Sequence, residues 1–134
     1  MKINIGDCVI SDDKSLLQPE RINAMLAATY WADKRPAEVT QNAIDNSVCF
    51  GVYCNDMQIG FARCVTDFAT TYYLCDVVVD EEYRGNGVGK ALVEYITGYK
   101  NFPHLIGLLW TRDAHGLYAQ YGFKDFQGMY RWPE

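Results

Sequence analysis

Six consecutive residues, Arg84-Gly85-Asn86-Gly87-Val88-Gly89, carry the strongest chemical signal in the chain. They sit between the apolar run Val77-Val78-Val79 and an amphipathic stretch that begins at Val88. Glycine at alternate positions lets backbone N–H groups gather round one point without Cβ atoms in the way. A helix starting there adds its unpaired N-terminal donors and the positive end of its dipole. The pattern predicts an anion site, such as a pyrophosphate cradle, with the amides of Arg84, Gly85, Asn86, Gly87, Val88, Gly89 and Lys90 as donors. The plain alternative is a tight turn with a solvated arginine. Two other glycine-rich loops are excluded. A dinucleotide fingerprint needs glycine where Lys90 stands, and a P-loop needs glycine at Arg84 and Ser or Thr at Ala91.

Such a loop works only if a strand and a helix hold it, and the remaining sequence supplies both. Residues 2–10 alternate Ile3 and Ile5 with polar neighbours and predict an edge strand. Pro19 opens a helix over 19–29 whose apolar face is Ile22, Met25, Leu26 and Thr29, and a second helix is expected over 36–46. Strands are predicted at 48–54 and 59–66, joined through the turn residues Asn55-Asp56, and at 72–79. Val88, Ala91, Leu92, Tyr95 and Ile96 then share one helical face, closed by Asn101-Phe102-Pro103 ahead of a buried run at 105–110. Asp113 is the expected N-cap of a helix over 114–121 that ends at Gly122. Helices separate the strands only in the second half. The sheet is therefore expected to be mixed, with 72–79 and 105–110 parallel.

The arginine-x-x-glycine-x-glycine pattern at 84–89, followed by Ala114, Leu117, Tyr118, Gly122 and Phe123, resembles the two signatures of the GNAT superfamily of acyl-CoA-dependent N-acetyltransferases. The likeness covers almost the whole chain. It implies an α/β (α+β) GNAT fold: a central, mixed, mostly antiparallel twisted sheet of about six strands flanked by about four helices. It implies one N-acetyltransferase domain over 1–134, with a last strand opened by Phe123, and acetyl-CoA as cofactor. The two parallel strands would splay apart to hold the pantetheine arm.

The resemblance also assigns roles. The loop amides would take the diphosphate, while Val77, Val78 and Val79 would lend backbone groups to the pantetheine amides and one N–H to the thioester carbonyl. Tyr118 would be the general acid for the departing thiolate, although it also lies on the stripe Ala114, Leu117, Tyr118, Tyr121 and could simply pack. Relatives place a glutamate base where Cys75 stands here. Asp76 is adjacent, but strand alternation turns it to the opposite face unless a bulge re-aims it, and the competing role is a structural carboxylate that anchors a neighbouring loop. His115 has a suitable reference pKa near 6.5 and could act through a water, or be an exposed helix-start residue. Cys75 as an acyl-accepting nucleophile competes with Cys75 as an inert buried thiol. Tyr30, Trp31, Asp33, Lys34 and Arg35 are candidates for acceptor recognition, against an aromatic packed on the sheet with its charges in water.

Composition bounds the function. The 134 residues are 49% hydrophobic and 14% aromatic, enough for one packed domain. A net charge of −5 without clustered Lys or Arg excludes a nucleic-acid or anionic-membrane surface. An acidic rim would suit a cationic acceptor such as an amine. The five cysteines are dispersed without C-x-x-C spacing and only two histidines are present, which argues against disulfide scaffolds and metal sites. Free cysteines, no leader-like N-terminus and no long apolar span predict an unprocessed cytoplasmic protein. The expected activity is transfer of an acetyl group from acetyl-CoA to a primary amine, on a small molecule or a protein, by direct attack in a ternary complex. The resemblance allows a homodimer. The alternative is a catalytically silent acyl-CoA-binding sensor, favoured by the missing Glu at position 75, and a third reading is an interaction protein without cofactor.

Overall fold

A computed structural model describes residues 8–134. Its elements are β1 (Val9–Ser11), α1 (Pro19–Ala27), α2 (Ala37–Asp45), β2 (Val48–Cys54), β3 (Met57–Thr66), β4 (Thr71–Val79), α3 (Val88–Thr97), β5 (Ile106–Leu108) and α4 (His115–Ala119). The five strands form one sheet in the order β1-β2-β3-β4-β5, antiparallel except for the parallel β4–β5 pair. The mixed sheet and its four α-helices follow the expected plan, with one strand fewer than about six.

Local chemistry explains most boundaries. Asn55 and Asp56 have φ of 52° and 65°, the left-handed pair that a two-residue hairpin between β2 and β3 requires. Pro19 occupies the first turn of α1, where its missing N–H costs nothing. Residues 2–7 of the expected edge strand lie outside the described residues, and its remaining part forms β1. The strand expected from Phe123 is not formed, and 123–134 runs as irregular backbone. The neighbouring β5 pairs over only three residues and presents too short an edge to template another strand.

The sheet is covered on both faces. On one side Phe50, Val52, Ile59, Leu74 and Tyr72 pack against Leu92 and Ile96 of α3, with Phe102 stacked on Tyr72. On the other side Ile22, Met25 and Leu26 of α1 and Ile44 of α2 close over Cys49, Phe61 and Val78. Cys49, Cys64 and Cys75 are free, but Cys8 and Cys54 form a disulfide, which corrects the expectation that all five are free. They lie 46 residues apart and meet only because β1 and β2 pair, a juxtaposition that spacing along the chain does not reveal.

A buried glutamine pins α1 to the sheet. Gln58 is fully buried on β3; its Oε1 accepts from the Gln18 N–H at 2.8 Å and its own N–H donates to Gln18 Oε1 at 2.9 Å. Arg21 Nε donates to the Gln58 carbonyl at 3.0 Å, and Arg21 also pairs with Asp80 just beyond β4. Replacing Gln58 with Leu strands the Gln18 N–H at the start of α1. We expect a loss of about 1–3 kcal/mol in urea unfolding; an unchanged midpoint would mean that solvent replaces the bond.

Candidate active site

The glycine loop is shaped by left-handed backbone at two positions. Gly85 and Gly87 both have φ of 81°, and Gly87 is the N-cap of α3. The Asn86 side chain turns inward, its Nδ2 donating to the carbonyls of Tyr83 and Arg84 at 3.2 and 3.3 Å. Arg84 Nε donates to the Val79 carbonyl at 3.3 Å and ties the loop to the end of β4. The first helical N–H bond of α3 is Ala91 to Gly87, at 2.9 Å. The N–H groups of Val88, Gly89 and Lys90 precede it and project beyond the helix end. A Cβ built on Gly89 would lie 3.9 Å from Val79 Cγ2 and 4.0 Å from Leu117 Cδ2, ordinary contact distances. Nothing in the packing of the chain demands glycine there. The free space at its Cα faces the gap between β4 and α4, as the approach of a bound group would require.

That gap begins where strand pairing stops. β5 pairs with β4 only from Thr71–Ile106 to Tyr73–Leu108, so the outer edge of β4 from Leu74 onward has no strand partner. A cleft of about 1250 Å³ follows this edge from the glycine loop, past Val77 and Tyr118, to Trp31 and Arg35. The volume accommodates an extended cofactor arm and a second small reactant. A second cavity of about 1130 Å³ lies under the C-terminal segment and does not border the loop. The backbone donors and the strand edge make the first the candidate site.

A bulge in β4 decides what faces the end of the cleft nearest Trp31 and Arg35. Between Phe61–Val78 and Arg63–Cys75, β4 advances three residues while β3 advances two, and Asp76 takes the extra position with φ of 55°. Cys75 and Asp76 therefore share the face covered by α1 and α2. Val77 and Val79 return to the α3 side, with Val78 on the α1 side. Asp76 is 4% exposed. Its carboxylate accepts from Arg35 Nη1 (2.8 Å) and Nη2 (3.2 Å), Arg63 Nε (2.8 Å) and Trp31 Nε1 (3.1 Å). Burial alone would raise its pKa, but the hydrogen bonds and charges of Arg35 and Arg63 outweigh burial and hold it below the ordinary value. Of the two roles weighed for Asp76, this environment suits the anchoring carboxylate, since a base needs a free lone pair and a raised pKa. Burial pushes the Cys75 thiol up to about 11 against the opposing influence of Arg63, which keeps it protonated and unreactive.

Tyr118 lies on α4 in the wall opposite β4. Its phenol is pushed up to about 12, first by burial and then by the neighbouring Tyr30 and Asp113. Its ring meets Phe123 edge-on at 5.9 Å, and Gly122, with φ of 89°, turns the chain back beneath it. The expected Asp113 cap is not made. Ala114 is the N-cap, with no side-chain cap bond, and its own N–H donates to Thr111 Oγ1 at 3.0 Å. His115 does not border the cleft. Its exposed ring points toward Asp125, 3.7 Å away, over the second cavity. Of the acceptor candidates, Tyr30, Trp31 and Arg35 line the cleft, whereas Asp33 and Lys34 are exposed outside it. The Arg112 N–H donates to Tyr30 Oη at 3.2 Å and its guanidinium stacks 3.7 Å above the Tyr30 ring, clasping the two walls together. Sequence reasoning missed Arg63, Tyr73, Trp110 and Arg112. Only Arg63 carried a signal, as a lone cation within an apolar strand that had to find a carboxylate.

Comparison with known proteins agrees with this geometry. Residues 45–125 match the family model for an acetyltransferase (GNAT) domain. A provisionally named acetyltransferase of Gibberella zeae is 32% identical over 145 aligned positions, covering 91% of this chain and 82% of its own length. The chain belongs to the GNAT acetyltransferase family. A crystal structure from Xanthomonas campestris assigned to the GNAT family is 39% identical, with a TM-score of 0.90 over 97% of this chain and 96% of its own. Arabidopsis thaliana glucosamine-6-phosphate N-acetyltransferase shares the fold alone, at 15% identity and a TM-score of 0.64 over 95% of this chain and 99% of its own. Family membership supports acetyl transfer as the general chemistry of the chain. Among the described residues no group of His, Cys, Asp and Glu could hold a metal, and no helix is long and apolar enough to cross a membrane.

The Asp76 cluster also sets a stability test. Asp76→Ala leaves two partly buried guanidinium groups without a counter-ion and should cost about 3–5 kcal/mol. Because the folded-state pKa lies below the unfolded one, the contribution in the natural chain is complete above pH about 4 and fades as pH falls through the folded value. Denaturant midpoints from pH 7 downward check both effects. A midpoint independent of Asp76 would remove the cluster from the account of stability.

Proposed function

We propose that the chain acts as a single N-acetyltransferase domain, moving the acetyl group of acetyl-CoA to a primary amine by direct attack in a ternary complex. The observation that carries this reading is the unpaired first turn of α3 opening onto the unpaired edge of β4, with Tyr118 on the facing wall. The amides from Arg84 to Lys90 suit a diphosphate, and glycine at 89 leaves room for it. The exposed edge of β4 offers Val77 and Val79 backbone groups to an extended amide-bearing arm and an N–H to the thioester carbonyl. When bound, acetyl-CoA supplies the activated acetyl group.

The remaining roles fall to side chains. With its phenol at about 12, Tyr118 keeps its proton throughout the working pH range. The raised value makes it a weaker acid than a free thiol, so transfer to the departing thiolate needs the water-poor cleft to raise the basicity of that thiolate as well. Cys75 stays protonated, so the nitrogen of the acceptor attacks directly. Asp76 positions Trp31, Arg35 and Arg63, and the amine arrives already neutral or loses its proton to solvent. One observation favours the alternative of a silent acyl-CoA sensor: Asp76, the only carboxylate on the β4 wall of the cleft, is fully engaged by its partners.

Two substitutions test the reading. Gly89→Ala removes a poor helix former from the first turn of α3 without a clash. It should leave stability equal or raise it by up to about 1 kcal/mol, while calorimetric binding of acetyl-CoA falls at least tenfold. Undiminished binding would end the cradle assignment. Tyr118→Phe should lower kcat by about 10²-fold or more in a thiol-release assay. The natural chain should show kcat/KM rising with the titration of the acceptor amine and no alkaline decline below pH about 11. Binding of acetyl-CoA without turnover on any amine would establish the sensor instead.

A further inference from the structure

The acceptor end of the cleft is cationic, although the chain as a whole carries −5. Arg35 and Arg63 both point at Asp76, with side chains 22% and 14% exposed against 1% for the aspartate. Two guanidinium groups share one carboxylate, so one positive charge on the wall is uncompensated. The carboxylate has no spare capacity, since Trp31 Nε1 takes a further bond to Oδ1. The guanidinium groups do have some. Arg63 Nη1 donates to Ser47 Oγ at 3.2 Å, but among the described residues Arg35 Nε and Arg63 Nη2 have no hydrogen-bond partner. Neither atom is sealed from solvent, because the only buried side-chain polar atom without a partner among the described residues is Tyr53 Oη. Of the other charged groups on the cleft, Arg112 and Asp113 are adjacent and offset each other, while Arg84 and Lys90 belong to the loop at the far end.

We propose that the acceptor carries a carboxylate as well as its amine, with the carboxylate seated on the spare donors of Arg35 and Arg63. Its apolar body lies against Trp31 and Tyr73. The inference rests on the acetyl-transfer reading and adds the class of substrate, an amino acid. It replaces the cationic acceptor that overall acidity suggested, because the local field at the site has the opposite sign. A polyamine would bring its charges to an uncompensated cation, whereas a carboxylate meets planar, partly desolvated donors that suit it. The same pairing bears on the missing base. An α-amine whose carboxylate is neutralised by a guanidinium resembles a peptide N-terminus, with a pKa of about 7.7–8.0, and a useful fraction is neutral near pH 7.5.

The test uses the full chain and matched acceptors. Thiol release from acetyl-CoA is measured with amino acids, with their amides, and with the amines left when the carboxyl group is removed; phenylalanine, phenylalaninamide and phenethylamine form the first set. Alanine, lysine and glutamate with their counterparts extend it. At least one amino acid should exceed both of its counterparts tenfold or more in kcat/KM. In Arg35→Gln that ratio should collapse toward one. The comparison in the natural chain stands even if the variant fails to fold. Counterparts used as well as the amino acids, or amino acids not used at all, would overturn the proposal. Calorimetry with acetyl-CoA separates the two levels. Binding together with a preference for carboxylate-free amines removes only the acceptor class, whereas no binding removes the transfer reading and this inference with it.

Discussion

Asp76 stands at the extra position of β4, and its carboxylate is held by guanidinium groups arriving from two directions, Arg63 on β3 and Arg35 from the connector after α1. That arrangement joins three segments distant in sequence at the point where β4 leaves its parallel neighbour. Without the extra residue, Asp76 would face α3, where no cation awaits it. The valines beyond it would exchange faces. The bulge thus sets the pitch of the strand edge along the cleft and the position of the aromatic connector above it. An ion cluster this poorly hydrated is costly to assemble. Here it fixes which face each residue of β4 presents.

The two ends of the cleft then acquire opposite kinds of chemistry. At the α3 end the cleft presents main-chain donors gathered by Gly85 and Gly87 and tethered through Asn86. Side-chain identity matters little there, as suits a constant cofactor. At the connector end the lining is side chains, Trp31, Arg35, Arg63 and Tyr73, with the Tyr30–Arg112 stack bridging the walls. Tyr118 stands between them, dry enough to keep its proton until a strong base appears.

The parts of this design that were legible in the sequence are those encoded by neighbouring residues. The glycine loop, the Asn55-Asp56 hairpin and the stripe of α3 each follow from a few adjacent positions, and the structure forms all three. What was not legible depends on partners far along the chain. Asp76 could be a base or an anchor until Arg35 and Arg63, 41 and 13 residues away, were seen to occupy it. Cys8 and Cys54 meet through strand pairing alone. Local preference also misled: Asp113 had the right chemistry for a cap, but the helix starts one residue later, with Ala114 as its N-cap. Phe123 has the right type to begin a strand, yet the adjoining edge is too short to receive one.

The shared use of Asp76 by fold and acceptor end constrains how this scaffold could be retuned. Altering either arginine would also take a partner from a buried anion, so changes at those positions act on the fold as well as on the cleft. Of the rings that border the same space, Trp31 donates to the Asp76 carboxylate, whereas Tyr73 and Trp110 make no bond to it. Trp110 is 62% exposed, and its ring contacts are with Tyr130 and Trp132 of the C-terminal segment rather than with the core. A laboratory seeking new acceptors for this chain would do best to diversify Trp110 and leave the guanidinium pair untouched.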